Sequence, residues 1–255
     1  RSYWNYLYCF IFKKKRILLD AGDEAARLKC LPFEKTVFNQ ASKIFTYNKA
    51  SVTRMIKKYG ASENKFFIHL KILDPKRFFL IPEKINPVYT VAYVGRFVKS
   101  KGFDKFIQLS QNFPDNKYVQ FLAIGINEDK FQIPDTIKSF EYIDNLKMAD
   151  IYSSIDLLAL PDMSKFKSFA TVVQEALMCG CEVAVGSLEK DYYPVQENIF
   201  FFDPEQQNLL IKYINEQSNG SFENKKKKRF LISEAINNKF KNQDFWKKMK
   251  EVLMQ

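Results

Sequence analysis

KSFATVVQEALMCG, residues Lys167–Gly180, is the stretch that decides the fold of this 255-residue chain. Ser168 is suited to cap a helix that runs to Met178 with apolar residues at helical spacing, and Gly180 stands where a helix ends in left-handed backbone. The apolar run before it, IDLLALP (Ile155–Pro161), is short and closed by proline, which is typical of a buried strand in a parallel sheet. Strand, loop and helix N-terminus together predict an anion-binding site, because unpaired N–H groups and the helix dipole face the loop.

Glu175 places a carboxylate on the helix face that leads to this anion-binding end. It follows Ser168 by seven residues, which is about two helical turns. This pairing suits a nucleotide, with phosphate at the helix tip and ribose hydroxyls on the carboxylate. An exposed helical glutamate is the alternative, although the neighbours Val172, Val173 and Ala176 indicate a partly covered helix.

Strands and helices are predicted to alternate from Val88 onward at the spacing of a doubly wound parallel sheet, whose ligands bind at the carboxyl ends of the strands. The predicted strands are Val88–Val94, Tyr118–Ile124, Phe140–Ile143, Ile155–Leu160, Glu182–Val185 and Ile199–Phe202. The predicted helices are Lys101–Phe113, Leu146–Ser154, Phe169–Met178, Pro204–Asn215 and a basic tail over Glu223–Gln255.

A second, shorter alternation precedes the first and is separated from it by a segment with three prolines, Asp74–Pro87, which reads as a linker. Its predicted strands are Ile17–Glu24, Lys43–Asn48 and Lys65–Ile72, and its predicted helices are Glu24–Gln40 and Lys49–Tyr59, the latter stopped by Gly60. The single histidine, His69, lies inside a predicted strand, where a histidine is usually a satisfied core residue, and we assign it no catalytic role.

Two motifs of the chain resemble those of the GT-B glycosyltransferases, specifically the retaining family 4. The family's E-(G/S)-F-G-x-x-x-x-E-A-M-A-C-G is matched here by Ser168, Phe169, Glu175, Ala176, Cys179 and Gly180. The segment YVGRFVKSKGFDKFI (Tyr93–Ile107) is similar to its V-G-R-x-x-x-x-K-G, with Arg96, Lys101 and Gly102 in place. The order and separation of the motifs make the resemblance specific, and it extends from about Ala41 to the end. One departure is that Lys167 stands where the family has its first glutamate.

The resemblance implies a GT-B-type α/β fold with two Rossmann-like domains. We expect a partial N-terminal, acceptor-side domain at 1–80, a complete C-terminal nucleotide-sugar domain at 88–220, and basic helices at 221–255 that cross back to the first domain. The family's glycine-rich first loop and acceptor-site histidine have no counterpart, so the acceptor site cannot be assigned. The chain begins at Arg1 rather than methionine, which suggests a fragment.

The function implied is transfer of a hexose from a nucleotide-diphosphate sugar to a glycan or lipid-linked acceptor, with retention, in cell-surface polysaccharide, lipopolysaccharide or glycolipid synthesis. By resemblance, the candidate catalytic residues are Lys167 and Glu175. The candidate residues for the donor diphosphate are Arg96, Lys101, Ser168, Phe169, Ala170 and Thr171, and those for the nucleoside are Glu175, Tyr142 and Ile143. Such enzymes generally work without a bound metal, so neither a metal site nor a cofactor is expected. For Arg96 and Lys101 the alternative is a solvated basic loop.

Lys167 leaves two interpretations open. It can pair with a phosphate or an acidic sugar in an active enzyme, with Asp162 as a candidate substitute for the lost carboxylate. Alternatively, the charge reversal marks a non-catalytic GT-B-like partner or scaffold protein. We favour the active enzyme.

The net charge of +11 requires an anionic partner or surface. No base-reading motif is present, so specific nucleic-acid binding is not expected, and an anionic membrane surface is favoured. The basic residues concentrate in Lys13–Arg16, Lys225–Arg229 and Lys247–Lys250. The aromatic stretch Ser2–Phe12 before the first cluster is either an interfacial helix or a buried helix of the fold.

The remaining composition is that of a reduced, globular protein. Hydrophobic residues make up 46% of the chain, which argues against disorder, and no run is long enough to span a bilayer. The four cysteines, Cys9, Cys30, Cys179 and Cys181, lack metal-type spacing and are expected to be reduced and, at the last two positions, buried. We therefore expect a cytoplasmic location, with peripheral attachment to the inner face of the cell membrane as a possibility.

Overall fold

The computed structural model describes residues 17–19, 34–69, 73–114, 117–162, 170–186, 190–241, 247, 250 and 251. They fall into two compact units. The small unit contains the described residues among Arg1–Lys71, Asp191–Pro194 and Lys241–Gln255, and the large unit those among Ile72–Lys190 and Val195–Phe240.

The small unit has a three-stranded parallel sheet in the order β1-β2-β3. Its elements are β1 (Ile17–Leu19), α1 (Glu34–Gln40), β2 (Lys43–Thr46), α2 (Lys49–Tyr59) and β3 (Phe66–Ile68). The bounds predicted for α2 are confirmed: Asn48 Oδ1 accepts a bond from the Ser51 amide at 2.7 Å, and Gly60 ends the helix at φ 72°. His69 is buried beside the rings of Phe45 and Tyr47.

The large unit is built on six parallel strands in the order β6-β5-β4-β7-β8-β9, which confirms the predicted parallel α/β sheet. The strands are β4 (Tyr89–Val94), β5 (Val119–Ile124), β6 (Ile137–Phe140), β7 (Leu157–Leu160), β8 (Glu182–Val185) and β9 (Ile199–Phe201). The α-helices are α3 (Phe103–Ser110), α4 (Met148–Ser154), α5 (Thr171–Met178), α6 (Asn208–Ser218) and α7 (Phe222–Lys241), and short 3-10 turns lie at Pro82–Lys84, Lys99–Lys101 and Asn145–Lys147. Another 3-10 turn, Lys190–Tyr192, begins at the last residue before the chain enters the small unit. None of the helices in the described ranges is both long and apolar enough to cross a membrane.

Aromatic rings fill the space between β4, β5 and α3. Phe97 stacks on Phe103 with ring centroids 4.0 Å apart, and Tyr93 meets Phe103 edge to face at 5.1 Å. All three are at most 2% exposed. This cluster fixes the loop that follows β4, which carries Arg96 and Lys101, against the sheet.

The predicted strand at Phe140–Ile143 is wrong by three residues. The strand is Ile137–Phe140 at the edge of the sheet, and of its residues only Ile137 is buried. The aromatic residues that suggested a strand further along stand in solvent, and Tyr142 is 80% exposed. Helix α6 likewise begins later than predicted, because residues from Pro204 first form a turn in which Asp203 accepts a bond from the Glu205 amide.

Candidate functional site

Glycines bring the loops at the carboxyl ends of the strands into direct contact. Gly102, at φ 73°, lies so close to the end of β7 that a Cβ there would come within 1.7 Å of the Pro161 carbonyl oxygen. Gly125, after β5, is equally close to the Gly95 oxygen, at 1.8 Å. Only glycine fits such positions, since any side chain would collide with backbone. The segment after β4 therefore lies against the segment that leads to α5, and the two sequence motifs share one edge of the sheet.

Lys101 and Asp162 form an ion pair at this edge. The Lys101 Nζ atom lies 3.0 Å from Asp162 Oδ2, and the side chains are 42% and 26% exposed. The cation predicted to hold a diphosphate is thus paired with the carboxylate considered as a substitute for the missing glutamate. A half-exposed pair of this kind contributes little to stability and can exchange partners.

Arg96 forms a second exposed ion pair nearby. Its Nη1 atom is 3.2 Å from Glu128 Oε2, and the two side chains are 62% and 41% exposed. The Arg96 backbone is held by the Tyr93 hydroxyl, which donates a hydrogen bond to the Arg96 carbonyl at 2.8 Å. Burial raises the pKa of Tyr93, and the nearby Asp162 raises it further, so this hydroxyl remains a donor.

Helix α5 begins at Thr171, two residues later than predicted. Ala170 occupies the N-cap position without a side-chain bond, so the prediction that Ser168 caps the helix is wrong. Ala170 and Thr171 are half-buried at the start of the helix, at the carboxyl edge. Lys167, Ser168 and Phe169 lie outside the described residues.

Glu175 is half-buried and hydrogen-bonded rather than exposed. The Tyr152 hydroxyl, on α4, donates to its Oε2 atom at 2.9 Å. Tyr152 has no exposed surface. Burial raises the pKa of Tyr152, and the adjacent Glu175 carboxylate raises it further. The sequence carried no sign of this partner, since Tyr152 is one more aromatic residue in a short amphipathic helix.

Tyr142 and Ile143 follow β6 at the same edge of the sheet. Tyr142 is exposed and Ile143 is half-buried. Their loop is held by Asp144, whose Oδ1 atom accepts a bond from the Leu146 amide at 2.9 Å. The structure thus places the candidate nucleoside residues on the loop after the edge strand, without further contacts that define their role.

The opposite, amino edge of the sheet holds a buried ionic cluster that the sequence did not reveal. Asp156, 3% exposed, precedes β7 and accepts bonds from the Thr90 amide at 2.8 Å and from Lys225 Nζ at 3.1 Å. Arg229, 2% exposed, lies 3.6 Å from the other carboxylate oxygen. Burial raises the pKa of Asp156, whereas Arg229 and Lys225 act in the opposite direction.

Arg229 also closes the ends of two helices. Its guanidinium donates to the carbonyls of Ser153 at 2.7 Å and Tyr152 at 2.9 Å, at the end of α4, and to those of Cys179 and Gly180, just after α5. A cation there satisfies carbonyls that have no partner within the helices and complements both dipoles. Three residues of the basic run Lys225–Arg229 are therefore bonded inside the large unit, because Lys228 also pairs with Glu182 at 2.8 Å.

A cavity of about 220 Å³ opens beside this cluster. Tyr89, Asp156, Glu182, Lys225 and Arg229 are among its lining residues. The Tyr89 hydroxyl is buried without a hydrogen-bond partner among the described residues, and the cavity is large enough for several water molecules that could satisfy it. It lies at the amino edge and takes no part in the candidate site.

The two described cysteines are buried, as predicted for Cys179 and Cys181. Burial raises the pKa of the Cys181 thiol to about 12, so the thiol is protonated at neutral pH and is not a thiolate nucleophile. No group of histidine, cysteine and carboxylate side chains suited to a metal ion occurs within the described part of the chain.

A sequence model of the family described as "Glycosyl transferases group 1" matches residues 78–237, more than half of the chain. Comparison with curated proteins found no match. Among solved structures, Anabaena HepE in complex with UDP is similar at a TM-score of 0.74 and 15% identity, over 97% of this chain and 75% of that one.

Two further structures extend this likeness. WaaG, a glycosyltransferase involved in lipopolysaccharide biosynthesis, gives a TM-score of 0.63 at 16% identity, over 95% of this chain and 78% of that one. Sucrose-phosphate synthase from Thermosynechococcus elongatus gives 0.62 at 15% identity, over 92% and 68%. At such identities these structures establish the fold, which is that of the GT-B glycosyltransferases.

Proposed function

This chain belongs to the glycosyl transferases group 1 family, and on that premise we propose that it transfers a hexose from a nucleotide-diphosphate sugar to a glycan or lipid-linked acceptor, with retention. One observation carries the proposal. The exposed Arg96 and the half-exposed Lys101 lie at the sheet edge where α5 begins, and Glu175 lies about one turn into that helix. These are the groups that a departing nucleoside diphosphate requires.

The cations act on the charge that develops as the sugar leaves. Breaking the bond between sugar and phosphate adds negative charge to the diphosphate, and fixed positive groups that meet this charge lower the barrier. We assign this role to Arg96 and Lys101, which exchange Glu128 and Asp162 for phosphate oxygens. Because side chains supply the positive charge, the proposed chemistry needs neither metal nor cofactor.

The start of α5 and Glu175 hold the rest of the donor. Ala170 and Thr171 lie at the N-terminal end of α5, where backbone amides and the helix dipole favour an anion, and Ser168 and Phe169 precede them in sequence. Glu175 accepts bonds from the ribose hydroxyls, and Tyr142 with Ile143 flanks the base. The complex of Anabaena HepE with UDP-glucose makes UDP sugars the first donors to test.

A non-catalytic partner protein is the second candidate. Lys167 in place of the motif glutamate favours it, and so does the engagement of both candidate cations by carboxylates. If the enzyme is active, Lys167 meets a phosphate or an acidic sugar. The two functions differ in whether donor is bound and turned over.

Calorimetric titration with UDP, GDP and their hexose conjugates separates them. We expect saturable binding of at least one nucleotide, release of free nucleoside diphosphate on incubation with its sugar conjugate, and an anomeric configuration in the product that matches the donor by NMR. Binding without turnover supports the partner protein, and the absence of any nucleotide binding refutes the enzyme.

We further propose peripheral binding to an anionic, cytoplasmic membrane face, where lipid-linked acceptors of polysaccharide or lipopolysaccharide synthesis occur. On α7, Lys227, Phe230 and Leu231 are all exposed and share one helix face, since they are three and four residues apart. Lys225, Lys228 and Arg229 are bonded internally, so this face carries fewer free charges than the sequence suggested. The cluster Lys13–Arg16 lies outside the described residues.

Co-sedimentation with liposomes tests the membrane proposal. Binding should require anionic lipid, decrease with salt, and fall several-fold when Lys227, Phe230 and Leu231 are changed to Gln, Ser and Ser. Replacement of Lys239, whose partner is Glu197, by Gln is the matched control and should change binding much less. Equal binding to neutral and anionic liposomes would exclude an electrostatic surface.

A further inference from the structure

We propose that Tyr152 is a positioning residue for Glu175: its hydroxyl bond to Oε2 helps to hold the carboxylate in the orientation in which it meets the ribose of the donor. The inference rests on the proposed function, because it deepens the role of Glu175 within the same site. Tyr152, a buried residue of α4, would thereby contribute to nucleoside recognition through Glu175.

The position of the Tyr152 hydroxyl is fixed by hydrogen bonds to the Tyr152 backbone and by packing around its ring. Arg229 Nη2 donates to the Tyr152 carbonyl at 2.9 Å, and the Cys181 thiol donates to the same oxygen at 2.9 Å. The side chain is fully buried, and Phe78 lies against its ring with centroids 6.5 Å apart. From this fixed base the hydroxyl reaches Glu175 Oε2 at 2.9 Å, across the contact between α4 and α5.

The bond from Tyr152 limits the arrangements that the Glu175 side chain can adopt. A glutamate on a half-exposed helix face samples several rotamers, and a ligand that binds it must restrict them at a cost in free energy. The bond to Tyr152 restricts the Glu175 rotamers before the ligand binds. The two ribose hydroxyls of the donor then meet a carboxylate that is already oriented. Because burial raises the pKa of Tyr152, the hydroxyl donates at every pH at which the enzyme is expected to work.

A purely structural role is the competing explanation, and one substitution distinguishes the two. Tyr152→Phe keeps the ring that fills the core and removes only the donor. Tyr213→Phe is the matched control, because Tyr213 also donates to a glutamate, Glu182, but does so at the amino edge of the sheet. Thermal unfolding of the two variants reports any loss of stability that they share.

The measurement is the preference for ribose over deoxyribose. Dissociation constants for UDP and GDP are compared with those for their 2′-deoxy and 3′-deoxy forms. We expect the parent protein to bind the ribose forms about tenfold more tightly or better, as for a hydroxyl bonded to a charged acceptor. In Tyr152→Phe this preference should fall to about threefold or less while the deoxy forms bind as before. Tyr213→Phe should keep the preference of the parent.

Each outcome bears on the inference. An undiminished preference in Tyr152→Phe would overturn it and leave the proposed function intact. A parent protein that binds nucleotide without preferring ribose would remove the assigned role of Glu175, and the inference with it. If no nucleotide binds the parent, both the proposed function and the inference fail. If Tyr152→Phe is less stable than the parent, all three proteins are compared at a temperature at which thermal unfolding shows each of them to be folded.

Discussion

Both the amino and the carboxyl edge of the large sheet carry ion pairs, but the pairs differ in burial. At the amino edge, Asp156 and Arg229 are 3% and 2% exposed, and their bonds join α7 to the ends of α4 and α5. At the carboxyl edge, the pairs of Arg96 with Glu128 and of Lys101 with Asp162 face solvent, with Arg96 62% exposed. Asp156 and Arg229 are almost fully buried at the amino edge, whereas the charges at the carboxyl edge are open to a ligand.

This difference in burial separates charged side chains that stabilise the fold from charged side chains that can bind a ligand. A buried charge must keep its partners, because removing one leaves the other desolvated. An exposed pair gains little from its contact, since water and salt compete with it. We therefore expect variants at the amino edge to lose stability and variants at the carboxyl edge to lose ligand binding.

The largest effect is expected for Arg229→Met. It removes the donors that close two helices and leaves Asp156 with one cation fewer. We expect the free energy of unfolding to fall by about 3–5 kcal/mol, as measured by urea denaturation. Lys239→Met, which breaks an exposed pair with Glu197, is the control and should cost at most about 1 kcal/mol. Similar losses in both variants would show that burial does not distinguish the two edges.

The next effect concerns ligand binding at the carboxyl edge. Arg96→Ala and Lys101→Ala should each weaken nucleoside diphosphate binding by about 1.5–3 kcal/mol, because each removes a charge-assisted contact. Stability should change by less than about 1 kcal/mol, since both pairs are exposed. Calorimetric titration and urea denaturation of the same samples test both statements.

Lys84→Ala provides the control for general charge. Lys84 pairs with Asp150 in the same unit, at exposures of 49% and 46%, without belonging to either motif. We expect it to leave nucleotide binding within about twofold of the parent, the scale of long-range screened electrostatics. If it weakened binding as much as Arg96→Ala, the net charge of the unit rather than a local site would attract the nucleotide.

Most of the fold could be predicted because its signals are local. Glu182–Val185 and Lys49–Tyr59 appear with the predicted bounds, since an uninterrupted apolar run marks a buried parallel strand and Asn48 and Gly60 mark the two ends of a helix. The edge strand β6 was predicted three residues too late. Its exposed residues lack the apolar run of the central strands, whereas the aromatic residues Phe140 and Tyr142 resembled such a run. Position within the sheet, not local preference, determined its pattern.

The enclosed charges could not be predicted for a related reason. Arg229 ends the run KKKKR, which in the sequence is indistinguishable from a solvated basic face. Only the packing of α7 against the amino edge buries it while leaving Lys227 exposed. Tyr152 and Glu175 are 23 residues apart, so their bond also depends on tertiary structure alone. Arg96 and Lys101, by contrast, were identified through resemblance, and Glu175 through its position on the predicted helix as well. Their proposed roles are tested by the variants above.

The smallest effect, and one of opposite sign, is expected for Glu128→Gln. Glu128 pairs with Arg96, and a diphosphate that takes its place must overcome this attraction and then lie near a carboxylate of its own charge. Removing the charge should tighten nucleoside diphosphate binding by about 1 kcal/mol or less, which is up to about fivefold, and the gain should shrink as salt is added. Glu197→Gln, which frees the exposed Lys239 elsewhere, should leave binding unchanged. Weaker binding in Glu128→Gln would mean that the carboxylate aims Arg96 at the donor, and Arg96 would then belong with the fixed charges of the amino edge rather than with the exchangeable ones.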